Sequence, residues 1–394
     1  VKDADGNLVP NVTVTFAVTG GATFDAGTEV TKEAITNNAG VATAALVSRV
    51  AGDHSVTAKV GTNITTAKTS NFIADETTAI IGSTDFTVAS GAVANNIVTN
   101  AVSATVKDGN GNLVPNASVT FVVSGGATFE GGTELTKEVN TNSAGVATAL
   151  LISRVAGDHD VTARVGTNTT AAKTSNFIAD ESTAIIGSTD FTVASGAVAN
   201  NTATNAVSAT VKDGNGNLVP NVNVTFVVSG GATFDGGTVI SKSVNTNSSG
   251  VATATLVSLI AGDHGVTATV GTNTTAAKTS TFIAGEISGD KSTFTIDKNI
   301  ISVGGSSSLI MTFTARDEHN NLVRAADVKF KVEGISSGIT LGPVSEAQGV
   351  YTATLTSTQK GLGNIAVYIG DAVLDDMATL PFGVYRSSLE IKVN

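Results

Sequence analysis

The stretch Val211-Lys212-Asp213-Gly214-Asn215-Gly216-Asn217-Leu218-Val219-Pro220-Asn221 decides the fold, because it recurs. Val106-Lys107-Asp108 lies 105 residues before Val211-Lys212-Asp213, and Val1-Lys2-Asp3 lies another 105 before that. Ala51-Gly52-Asp53-His54, Ala156-Gly157-Asp158-His159 and Ala261-Gly262-Asp263-His264 keep the same spacing. Such a period exceeds the ~20–50 residues of a solenoid repeat and is the size of an autonomous domain. Ala315-Arg316-Asp317-Glu318-His319-Asn320-Asn321-Leu322-Val323 marks a fourth, diverged copy, and Gly349-Val350-Tyr351-Thr352-Ala353-Thr354 parallels Gly145-Val146-Ala147-Thr148-Ala149-Leu150. The expected domains are 1–80, 81–185, 186–287 and 288–394. The first lacks a counterpart of Ser83–Ala104, and the chain opens on Val1-Lys2-Asp3 inside a strand-like pattern with no visible signal peptide, so it reads as a fragment of a longer protein or as a processed form.

Within each unit the apolar period is two. Val102, Ala104 and Val106 alternate with Ser103, Thr105 and Lys107; Val119, Phe121 and Val123 alternate with Ser118, Thr120 and Val122. Half-buried antiparallel strands read this way. Asp108-Gly109-Asn110-Gly111-Asn112, Ser124-Gly125-Gly126 and Gly166-Thr167-Asn168 are turn signals between them. The fold class is therefore all-β: tandem immunoglobulin-like β-sandwich domains forming an elongated rod. The short stretch Ala184-Ile185-Ile186-Gly187 is expected to be a linker, with its Ile pair packed into the domain junction. Ser387-Ser388-Leu389-Glu390-Ile391-Lys392-Val393 resembles the domain start Ser188–Val193 and reads as a fifth module's opening or as an extra strand.

The 394 residues are 41% hydrophobic, enough for cores, but only 14% charged, against about 25% in an average soluble protein. The net charge of −11 argues against nucleic acid, which needs a basic face. No apolar run reaches the ~18–20 residues of a membrane helix. With no Cys, disulfides, thiol catalysis and Cys-ligated zinc are excluded.

The pattern 211–221, followed by Val224-Thr225-Phe226, Thr246-Asn247-Ser248-Ser249-Gly250-Val251-Ala252-Thr253 and Ala261–Ala268, resembles the bacterial immunoglobulin-like repeat of intimin and invasin. These are inverse autotransporters of Gram-negative bacteria. The resemblance implies an extracellular location, an outer-membrane anchor upstream and a stalk role for the repeats. It implies a host cell-surface or secreted glycoprotein as partner, such as a receptor or an immunoglobulin. A monomeric rod without membrane contact is expected, with neither cofactor nor catalysis. The family's disulfide-bearing lectin-like tip does not match this Cys-free chain.

Asp3–Asn7, Asp108–Asn112 and Asp213–Asn217 echo the start of a calcium loop. They lack the Glu at position twelve and the flanking helices, so a hairpin turn is the expected reading. His54, His159 and His264 occur once per domain, and sandwiches with ~20 Å strands would hold them on the order of 35–40 Å apart. They read as turn or strand-start residues, not ligands. No metal site is expected. No cleft-forming insertion accompanies carboxylates such as Asp53, Asp75 and Glu76, which leaves an enzyme reading without a pocket.

The fourth domain differs in chemistry. It holds all three Tyr and both Met, with 20 charged residues across 288–394 against 8 across 188–287. Alternation points Val328, Phe330 and Val332 inward and Asp327, Lys329, Lys331 and Glu333 outward. Ile365, Val367 and Ile369 point inward and Tyr368 outward. Tyr and Arg favour interfaces, so the candidate binding residues are Arg324, Lys329, Lys331, Glu333, Tyr368 and Tyr385; an ordinary charged surface is the alternative. Tyr351, at a strand start, reads as a structural tyrosine corner. The functional expectation is an adhesive region on a stalk that attaches to host cells. The competing reading is a passive spacer or a self-associating rod with its tip elsewhere.

Overall fold

A computed structural model describes residues 1–25, 27–374 and 386–392. They fall into two compact units, Val1–Asp180 and Glu181–Asn394.

In the first unit, the second repeat shows the design in full. One sheet runs, in spatial order, Thr128–Phe129, Val146–Ile152, Asn100–Lys107 and Ile80–Val88. The other runs Thr136–Asn140, Ser118–Val123, Gly157–Val165, Lys173–Ile178 and Ala92–Val93. The alternation read from sequence sets the layers: Val119, Phe121 and Val123 are buried, while Ser118 and Val122 face solvent. Between the sheets lie Phe86, Val102, Leu151, Phe121, Phe129 and Phe177, at 2% exposure or less. Polar groups also bridge the layers, Lys173 Nζ donating to the Phe86 carbonyl and Asn100 working from the opposite sheet. Asn100 accepts from Ala92 N–H and donates through Nδ2 to Ser175 Oγ and the Asn176 carbonyl, each at about 3.0–3.1 Å.

The first repeat has the second of these sheets: Thr31–Ile35, Thr13–Val18, Gly52–Val60 and Lys68–Phe72. Its other layer is only Thr23–Phe24 paired with Leu46–Val47. Residues 41–45 keep the alternation of Val146–Leu150 but form no strand. In the second repeat that stretch pairs with Asn100–Lys107. A strand needs its neighbour's hydrogen bonds, and pattern alone does not supply them.

In the second unit the third repeat restates the design, with Ile185–Val193, Asn205–Lys212 and Val251–Val257 in one sheet and Ser241–Asn245, Asn223–Val228 and Gly262–Val270 in the other. Ile185 and Ile186 correct the linker expectation. They open the first strand, where Ile186 is buried and Ile185 exposed, because a strand sends successive side chains to opposite faces. The same holds for Ile80 and Ile81.

The fourth domain packs Thr293–Ile296, Leu309–Thr314, Val350–Ser357 and Ile339–Leu341 against Ile300–Ser302, Arg386–Lys392, Gly361–Ile369 and Val328–Glu333. Arg386–Lys392 thus pairs within this domain, antiparallel to Gly361–Ile369 and parallel to Ile300–Ser302, as an extra strand. Met311, Phe313, Phe330, Tyr351 and Val367 form its core.

Candidate functional site

Two features go beyond core packing. The first lies where one domain follows another. Asp108 folds its loop inward: Oδ1 accepts from the Asn110 and Asn112 N–H groups, and Oδ2 from Asn112 Nδ2 at 2.8 Å. This is the self-hydrogen-bonded turn that Asp favours, and Gly111 takes the φ of +91° that it needs. The loop is also a clasp. Asn112 Nδ2 donates to the Arg49 carbonyl at 2.9 Å, and its Oδ1 accepts from Ala51 N–H at 3.0 Å. Asp108 Oδ2 accepts from Asp75 N–H at 3.1 Å, and Gly109 N–H donates to Thr78 Oγ1. One loop thereby holds the preceding repeat and the connecting segment.

The same clasp recurs in the second unit, between the third repeat and the fourth domain. Asn321 donates to the Leu259 carbonyl and accepts from Ala261 N–H; Asp317 Oδ2 accepts from Gly285 N–H at 2.8 Å. Asn320, with φ +73°, stands where the repeats have Gly. Burial alone would raise the pKa of both aspartates. The hydrogen bonds from Asn112, Asp75 and Asn110 outweigh it at Asp108, as those from Asn321, Gly285 and His319 do at Asp317, so both carboxyls sit below the ordinary range. With four N–H groups converging on each carboxylate, these loops offer donors where a calcium loop must offer acceptors.

The second feature is the outward face of Val328–Glu333 and Gly361–Ile369. Lys329 lies between Asp327 and Asp371, at 3.2 and 3.1 Å. Lys331 Nζ stands 3.9 Å over the Tyr368 ring, a cation–π contact, and Tyr368 donates its hydroxyl to Glu333 Oε1 at 3.1 Å. The register sets Lys329 opposite Tyr368 and puts Lys331 two residues on along the same face, which brings the cation over the ring. Lys329, Lys331, Glu333 and Tyr368 therefore form one cluster. Arg324 is exposed but lies apart, lining a groove with Ala261, Asp263, Phe282 and Leu322 beside the third repeat. Tyr385 lies outside the described residues.

Residues 1–73, 83–178 and 188–283 each match the bacterial Ig-like domain (group 1), and residues 288–382 match invasin, domain 3. The chain belongs to the intimin/invasin family. It is 31% identical over 392 residues to the inverse autotransporter adhesin YeeJ of Escherichia coli K12, a match covering 97% of this chain and 16% of that protein. Its fold is similar to that of the Escherichia coli adhesin FdeC (TM-score 0.55, 22% identity, covering 82% of this chain and 100% of that one). It is also similar to InvD of Yersinia pseudotuberculosis (TM-score 0.50, 17% identity, 77% and 88% covered).

In this intimin/invasin chain the once-per-repeat histidines are core residues. His159 is 1% exposed and meets Phe177 edge-on at 5.5 Å. Its Nδ1 accepts from Ala127 N–H, and its Nε2 faces the Val155 carbonyl, which can only accept. The ring is thus neutral, with its proton on Nε2. His264 repeats the arrangement with Ala232, Ile260 and Phe282. Tyr351 is a tyrosine corner as expected: buried, donating to the Val323 carbonyl and accepting from Ala326 N–H. Sequence reasoning missed the clasp. One signal was available: the fourth copy drops the loop's Gly residues yet keeps Asp317 and Asn321, the two residues that clasp.

Proposed function

We propose that the chain is an extracellular segment of an outer-membrane-anchored adhesin of a Gram-negative bacterium. The first three repeats, with boundaries near residues 80, 185 and 287, act as a spacer. The fourth domain contacts a host cell-surface or secreted glycoprotein by noncovalent binding, with no turnover. The observation that carries this reading is the clasp. A loop that hydrogen-bonds both the preceding repeat and the connecting segment resists bending, which suits a part that transmits position. Only small interfaces otherwise join such domains, and small interfaces permit motion.

The contact role of the fourth domain is supported by its outward face. The counterparts of Lys329, Lys331 and Glu333 in the second repeat are Thr120, Val122 and Ser124. A cluster of two lysines, a glutamate and a tyrosine offers charge and a large amphipathic ring where Thr120, Val122 and Ser124 offer neither, although Arg164 stands at the Tyr368 position. The test is binding of the full chain to host cells and serum glycoproteins, with and without Lys329→Ala, Lys331→Ala and Tyr368→Ala together. Saturable binding that these changes abolish supports the reading. Binding that survives them, or no binding by the unaltered chain, assigns adhesion elsewhere.

A further inference from the structure

We propose that the outer edge of Val328–Glu333 accepts an extended, acidic segment of a partner protein as an added β-strand. The inference deepens the reading of the fourth domain as the contact domain, and rests on it.

In each of the three repeats the corresponding strand has neighbours on both sides. Thr13–Val18 pairs with Thr31–Ile35, Ser118–Val123 with Thr136–Asn140, and Asn223–Val228 with Ser241–Asn245. Val18, Val123 and Val228 each donate their N–H to the carbonyl of Val30, Leu135 or Ile240, at 2.9 Å. In the fourth domain the chain leaves Val328–Glu333 for the other sheet, where Ile339–Leu341 and Ser345–Ala347 pair with Val350–Ser357. Among the described residues, Val328–Glu333 pairs only with Gly361–Ile369.

The pairing parity shows what the edge presents. Gly370 N–H donates to the Asp327 carbonyl, which makes 327/370 a hydrogen-bonded pair. In the observed register the pairs Lys329/Tyr368, Lys331/Ala366 and Glu333/Asn364 then exchange hydrogen bonds. Phe330 and Val332 turn their N–H and C=O groups the other way, toward the edge. Val332, the counterpart of Val123, is only partly buried, whereas Val123 is 2% exposed. An open edge with aligned donors and acceptors is the template that β-augmentation uses.

Charge selects the occupant. Lys329 already has two carboxylates, while Lys331 has an aromatic ring beneath it and, among the described residues, no carboxylate within ion-pair distance. An incoming carboxylate opposite Lys331 completes that pair. A second copy fits poorly. Self-pairing centred on Phe330 sets Lys331 against Lys329 of the copy, and self-pairing centred on Lys331 sets it against itself; like charges directly opposite destabilise. Centring on Val332 requires Gly334 to be extended, and its φ is +84°.

The probe is built on the strand that fills this place in the second repeat, Leu135-Thr136-Lys137-Glu138-Val139-Asn140. In that register Thr136 faces the counterpart of Lys331. Two labelled peptides of this sequence carry Glu or Lys at that position. Fluorescence anisotropy with the full chain should show saturable binding of the Glu peptide, with the Lys peptide about fivefold weaker or worse. Lys331→Glu, a surface change that leaves the backbone edge intact, should reverse the preference. Val332→Pro, which removes an outward N–H, should abolish binding of both peptides. Absence of saturable binding, or a preference unmoved by Lys331→Glu, would overturn the inference. Host-cell binding measured on the same variants separates the two claims. If it depends on Tyr368 and Lys329 while no peptide binds, strand addition is wrong and the contact domain stands. If it is indifferent to every change on this face, the contact reading has failed.

Discussion

Asn112 Nδ2 donates to the carbonyl of Arg49, 63 positions earlier and in the preceding repeat, at 2.9 Å. The other end of the same amide accepts from Ala51 N–H, so both functions of one side chain act across the junction. Asn321 does the same with Leu259 and Ala261. Asn fits the task because its amide donates and accepts from one planar group.

Removing that amide should loosen the junction without unfolding either domain. Asn112→Ala and Asn321→Ala each delete two cross-domain hydrogen bonds, worth about 0.5–1.5 kcal/mol apiece. Neither side chain belongs to a sandwich core. Thermal unfolding should therefore change little, while small-angle scattering of the full chain should show a broader distance distribution for the double variant. An unchanged distribution would mean that the clasp does not limit bending.

Acid should act on the same joint. The folded forms of Asp108 and Asp317 hold their carboxyls below the ordinary value of 3.8, so the unfolded or unclasped chain takes up protons first as pH falls. The stabilisation is complete above that value and is lost as pH drops through the lower folded one. Protonation puts a donor where the N–H groups of Asp75 and Gly285 also donate. Scattering curves should superpose between pH 7 and about pH 5 and broaden below about pH 3.8. Asp108→Asn combined with Asp317→Asn should broaden them at neutral pH and flatten the acid response.

The sandwich layers were legible in the sequence because alternation and burial share a period of two, as Val119, Phe121 and Val123 show. Tyr351 was legible for the same reason, and so was the outward placement of Lys329, Lys331, Glu333 and Tyr368. The clasp was not, since a turn's local chemistry explains Asp108 and Asn112 fully before their distant partners are known. The Ile185-Ile186 pair misled because two adjacent apolar residues between polar stretches look like a linker, whereas a strand start needs only one of them inside. The open edge of Val328–Glu333 depends on where the next segment pairs, and alternation does not encode pairing partners.

The three buried histidines should not be equivalent. His159 and His264 satisfy both ring nitrogens, while His54 Nδ1 is buried with no partner among the described residues. Replacing His159 or His264 by Leu strands the Ala127 or Ala232 N–H, at about 1–3 kcal/mol for the group left unsatisfied, while the Val155 or Ile260 carbonyl keeps the hydroxyl of Ser153 or Ser258. His54→Leu strands no such N–H, since the Val50 carbonyl keeps the Ser48 hydroxyl, and should cost less. Hydrogen exchange resolved by repeat would rank the three; equal losses would refute the ordering.

Tyr351→Phe should destabilise the fourth domain by more than the loss of one hydroxyl suggests. The hydroxyl pins the Val323 carbonyl and the Ala326 N–H, which flank Ala325. Ala325 sits at φ +55°, a left-handed conformation that costs a non-glycine residue about 1–2 kcal/mol. Tyr351 thus holds a strained bend that feeds directly into Val328–Glu333. Without the hydroxyl, two backbone groups lose their partner and the bend can relax, shifting the strand that carries Lys329 and Lys331. Ala325→Gly removes the strain, so it should stabilise the unaltered chain by about 0.5–1 kcal/mol and recover part of the Tyr351→Phe loss. Chemical denaturation of the four chains in a double-mutant cycle checks this. Strict additivity would show that Tyr351 does not hold the bend.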